Sequence, residues 1–116
     1  MQPTGFKPFF TVLALLLLYI QVSSGMSNNC EACVKVCDVE LHKLYPDPSK
    51  IRIDEAANWI KDVLCKVPPL PEYLNFCAAA SNPAVRHNLC EQYGIHGDGR
   101  TACANTVDVS GVDKFC

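Results

Sequence analysis

The sequence predicts an all-α fold: a small disulfide-rich helical bundle of four to five short helices with a tied C-terminal tail. Three observations carry this. The chain of 116 residues holds 8 cysteines, all after residue 29. Apolar residues recur at helical spacing through the first half. Prolines and glycines punctuate these runs, and no convincing pair of strands is present.

The N-terminus is set apart. Phe9 to Ile20 form an almost unbroken apolar run preceded by Lys7 and followed by Val22-Ser23-Ser24-Gly25. Small residues stand where a cut after Gly25 needs them, which reads as a secretory signal peptide over residues 1–25. The run is too short for a membrane-spanning helix, which needs about 20 residues. The mature domain is then residues 26–116, expected in the extracellular space or the lumen of the secretory and lysosomal route. Removing residues 1–25 takes away one lysine and leaves 9 basic against 12 acidic side chains. This balance excludes a nucleic-acid binder built on a basic face, and the size excludes a multidomain protein.

The first helix is predicted from Ser27 to Tyr45. Cys30, Cys33, Val34, Cys37, Leu41, Leu44 and Tyr45 share one face, while Glu31, Lys35, Asp38, His42 and Lys43 fall elsewhere. Pro46 and Pro48 end it. The second runs from about Asp54, a candidate cap, to Lys66, with Ile53, Ala56, Ala57, Ile60, Leu64 and Val67 as its apolar stripe and Trp59 at the edge. Val67-Pro68-Pro69-Leu70-Pro71 then breaks the chain. Pro71 suits the first position of a third helix carrying Tyr73, Leu74, Cys77 and Ala78. Asn82-Pro83 signals a fourth helix to Tyr93, with Gly94 as the left-handed residue after its end. Residues 94–116 read as loop-rich, with Ser110 able to start one short terminal helix.

In an oxidising route the even cysteine count predicts four disulfides. Cys30-Glu31-Ala32-Cys33 has zinc-site spacing, but no second such pair follows, so no metal or cofactor is expected. Cys65 and Cys77 flank the proline-rich turn and can staple the second helix to the third. Cys30, Cys33 and Cys37 lie along the first helix. A tail running back antiparallel along it would pair Cys37 with Cys90, Cys33 with Cys103 and Cys30 with Cys116. This nested ladder is one of many connectivities open to eight cysteines.

The first half resembles the saposin-like family. The residues that carry the likeness are Cys30-Glu31-Ala32-Cys33 opening an amphipathic helix, then Asp62-Val63-Leu64-Cys65-Lys66-Val67-Pro68, then Cys77. The resemblance covers about residues 30–77. It implies the pairings Cys65–Cys77, Cys33–Cys103 and Cys30–Cys116, and a lipid- or membrane-interacting function without catalysis. Cys37 and Cys90 are additional to the pattern.

Little in the sequence points to an enzyme. His42, His87 and His96 share no metal-binding helix spacing, and no nucleophile elbow is present. Asp54-Glu55 suits helix capping. Trp59, Tyr73, Leu74 and Phe76 cluster near the proline-rich hinge as candidate lipid contacts. Binding to lipid is expected to strengthen below about pH 6, where three histidines would offset the net negative charge. The alternative is a secreted ligand, toxin or defence factor acting on an extracellular protein partner. Its candidate contact is the Gly94–Arg100 stretch, with His96, Asp98 and Arg100.

Overall fold

A computed structural model describes residues 28–106 and 114–116. The expected signal peptide and the expected Ser110 helix start lie outside these residues. Among the described residues there are five helices and no strand beyond an isolated bridge at Lys114. Helix α1 is one rod of three consecutive segments: Asn28–Lys35, a wider π-helical stretch Val36–Leu41, and a last turn His42–Leu44. Its buried residues Cys33, Cys37 and Leu41 step by four. Steps of four drift around a 3.6-residue helix, and a stretch with wider turns takes up that drift. Ala32 and Val36 join the buried face, whereas Leu44, expected there, is exposed.

After a 3₁₀ turn at Pro48–Lys50, α2 comprises Ile53–Trp59 and a π-helical end Ile60–Leu64. Its N-cap is Arg52 without a side-chain cap bond, so Asp54 falls in the first turn and is not the cap. Pro71 does open α3, a 3₁₀ turn Pro71–Tyr73 continuing as Leu74–Ala79. Helix α4 spans Pro83–His96, and the Asn82 side chain accepts the N–H of Ala84 at 2.9 Å as its cap. Helix α5 is Gly99–Ala104, with the Asp98 carboxylate accepting the N–H of Thr101 at 2.9 Å.

Helix α5 packs against both α1 and α4, α4 lies on α2, and α3 lies on α1. The core between them holds Leu41, Ile60, Tyr73, Phe76, Leu89 and Tyr93. The tail closes it. Phe115 donates its N–H to the Thr106 carbonyl at 3.2 Å, and its ring stands 5.5 Å from that of Phe76. Cys116 donates its N–H to the Cys103 carbonyl at 3.2 Å.

Three disulfides are formed: Cys30–Cys116, Cys33–Cys103 and Cys65–Cys77. Such bonds belong to an oxidising compartment. The expected fourth is not among them, because Cys37 and Cys90 are free, buried thiols. Cys37 stands one turn after Cys33, and its Sγ lies within 4.8 Å of both sulfurs of the Cys33–Cys103 bridge.

Candidate functional site

The hinge between α2 and α3 carries the most exposed apolar surface. Val67 is 87% exposed, Leu70 60%, Val63 58% and Leu74 56%. Proline explains the exposure. Pro68, Pro69 and Pro71 cannot donate backbone hydrogen bonds or continue a helix, so Val67 and Leu70 are held out on a turn instead of folding onto the core. The Cys65–Cys77 bridge, with its Cα atoms 5.4 Å apart, clamps the base of this turn.

A groove lies on each flank. One has a volume of about 350 Å³ and is lined by Trp59, Val63, Leu70 and Tyr73 among others. The other is larger, about 640 Å³, and runs between the hinge and the start of α4. Val67, Pro69, Leu74 and Pro83 form apolar walls, and Arg86 and Lys61 supply the charges. No carboxylate lines this second groove.

Arg86 is 93% buried by its relative exposure of 7%. Its Nη1 donates to the carbonyl oxygens of Ala80 at 2.6 Å and Ser81 at 3.2 Å, which caps the end of α3. Its Nε is enclosed without an acceptor. Among the described residues no carboxylate pairs with it. The residue sits in the first turn of α4, where no acidic side chain is present and where the helix dipole already places positive charge.

The sequence-predicted lipid contacts divide. Leu74 faces the larger groove, and Trp59 lines the smaller one while half-packed on the core. Tyr73 and Phe76 are corrections, being 1% and 0% exposed. Helix α3 is turned so that Tyr73, Phe76, Cys77 and Ala80 point inward and Leu74 points out. Burying the larger Phe76 ring against Phe115 removes more apolar area from water than Leu74 would. The Tyr73 hydroxyl donates to Glu40 Oε2 at 2.9 Å, and burial with this carboxylate raises its pKa.

The Gly94–Arg100 stretch is likewise not the open loop the glycines suggested. Gly94, Ile95 and His96 continue α4, and Gly97, at φ 79°, makes the left-handed turn expected of Gly94. His96 is within 3.2 Å of Gln92 Oε1, Asp98 caps α5, and Arg100 lies within α5. These three residues belong to a tight helix–turn–helix connection.

The sequence-based reading missed Arg86, Val67 and Leu70. For Arg86 the signal was present: Val85, Leu89, Cys90 and Tyr93 form the buried stripe of α4, and a basic residue falls within it. The grouping of Cys33, Cys37 and Cys103 has metal-like proximity, but two of the three are joined in a disulfide and offer no thiolate. Burial raises the Cys37 pKa well above the ordinary thiol range, helped by Cys90, Asp38 and Asp98, and burial pushes Cys90 to about 12. Both stay protonated near neutrality and are poor nucleophiles toward the adjacent bridge.

No described helix is long and apolar enough to cross a membrane. Compared with protein-family models, curated proteins and solved structures, the chain matches none of them.

Proposed function

We propose that this is a secreted, non-enzymatic protein that engages lipid or a membrane surface in the saposin-like manner, through the hinge between α2 and α3. The observation that carries the reading is the exposed apolar ridge of Val63, Val67, Leu70 and Leu74. Proline holds Val67 and Leu70 in water, and the exposure of all four side chains has a cost in free energy that contact with an apolar phase would relieve. The apolar run ahead of Gly25 supports delivery into the secretory route. Lys61 and Lys66 flank the ridge, so the local charge is less negative than that of the whole chain.

The test is co-sedimentation of oxidised residues 26–116 with neutral and anionic vesicles at pH 5 and pH 7.5. The wild type is expected to pellet, more strongly at pH 5. A double variant, Val67→Asp with Leu70→Asp, is expected to bind at least tenfold more weakly, since both residues are exposed and their replacement leaves the core intact. Absence of wild-type binding to every vesicle would sink the reading and direct attention to an extracellular protein partner for the same ridge. None of His42, His87 and His96 lines either hinge groove. Any pH effect from them acts through net charge, not through direct contact with lipid.

A further inference from the structure

We propose that the larger hinge groove is a binding site for one anionic single-chain amphiphile, a long-chain fatty acid, with Arg86 receiving the carboxylate. This deepens the lipid reading above and rests on it for the apolar character of the hinge.

Three observations converge on such a ligand. The groove volume, about 640 Å³, is in the range of sites that enclose one small molecule. It suits a single acyl chain better than a diacyl lipid. Its walls are largely apolar, formed by Val67, Pro69, Leu74, Ala78 and Pro83. Its polar end is cationic and uncompensated. A guanidinium that is nine-tenths buried without a counter-ion is costly, and the cost falls when an anion is supplied.

The geometry of Arg86 explains why the anion must come from outside. Nη1 is spent on the Ala80 and Ser81 carbonyls, which lock the planar fork against the end of α3. Among the described residues Nη2 has no acceptor, and it is not enclosed as Nε is, so it keeps access to the groove. Every charged side chain that lines the groove is basic, with Lys61 as the second. Lys61, whose exposed ammonium lies 3.8 Å from Asp62, adds to the positive potential of the lining. An amphiphile with its chain along Val67 and Leu74 and its carboxylate at Arg86 satisfies both ends of the groove at once.

The experiment measures calorimetric binding of oleate, below its aggregation concentration, and of methyl oleate, which has the same chain without the charge. The proteins are wild type, Arg86→Met, Arg86→Lys and Leu74→Asp. Wild type is expected to bind oleate one to one and methyl oleate at least tenfold more weakly. Arg86→Met is expected to lose that discrimination and Arg86→Lys to retain part of it. Leu74→Asp is expected to weaken both ligands. Equal wild-type affinity for acid and ester would overturn the proposal without recourse to any variant, so a misfolded Arg86→Met does not blunt the test. Vesicle binding without oleate binding would remove this site and leave the hinge reading standing. One-to-one oleate binding without vesicle binding would keep the site and remove the membrane reading.

Discussion

The carboxylate of Asp38 accepts the backbone N–H of Gly99 at 2.8 Å, which joins the middle of α1 to the first residue of α5. The contact is close because Gly99 has no side chain. A Cβ there would stand 2.9 Å from the Val34 carbonyl oxygen, 3.0 Å from the Asp38 carboxylate and 3.0 Å from Cys37 Cβ. Gly99→Ala is therefore expected to force α5 away from α1 and to cost about 1–3 kcal/mol, the range for overpacked cores. Thermal unfolding checks this: a midpoint equal to wild type would mean that the two helices adjust freely.

Acid is expected to weaken the start of α5. Hydrogen bonds from Thr101 to Asp98 hold its carboxyl below the ordinary value of 3.8. A lowered folded-state pKa contributes stability that is fully present above the unfolded value and lost as pH falls through the folded one. Asp98→Asn keeps a capping oxygen but does not titrate, so its unfolding midpoint should depend less steeply on pH below about 4 than that of wild type. Parallel curves between pH 6 and pH 2 would show that Asp98 does not contribute.

The thiols of Cys37 and Cys90 are buried, with pKa values raised chiefly by burial. Native protein is expected to resist iodoacetamide at neutral pH. Denatured in guanidinium without reductant, it should take up two carbamidomethyl groups per chain, read by mass. Uptake of none would mean that the two had joined as a fourth bridge.

Hinge substitutions should separate by burial. Phe76→Ala removes a fully buried ring in contact with Phe115 and is expected to destabilise the fold by about 3–5 kcal/mol. Val67→Ala, at an exposed position, is expected to change stability by less than about 0.5 kcal/mol. Denaturant titration of both variants decides whether the exposed ridge is dispensable for folding, as a surface kept for a ligand should be.

The Cys65–Cys77 staple closes a short loop, and its sequence separation is 12. Replacing both cysteines by serine is expected to cost about 3 kcal/mol in the loop-entropy account. Removing Cys30–Cys116, whose separation is 86, should cost about 1–2 kcal/mol more. Comparable losses from the two would show that native strain or denatured-state structure outweighs loop length.

Much of the architecture was decided locally. Helical periodicity marked α1 and α2, Pro71 marked the start of α3, and Asn82-Pro83 marked the start of α4, because caps and proline act through the nearest few backbone groups. The hinge was legible for the same reason, and with it the Cys65–Cys77 pair. Three other outcomes depended on distant partners. Tyr73 and Phe76 turned inward because Glu40 and Phe115 wait there. Gly94 lies inside α4, where a Cβ would meet Ile51 Cγ2 at 2.8 Å, so its role is close packing and not a helix end. Arg86 entered the wall of a groove because α3 ends in carbonyls that accept its Nη1. Sequence alone determined where α3 and α4 start, since those choices are made within a turn of chain, but not the end of α4 at His96 or the presence of α5. Which face of α3 is buried, which thiols stay free and which cation is buried in a groove wall were decided only when residues far apart in sequence competed for one small core.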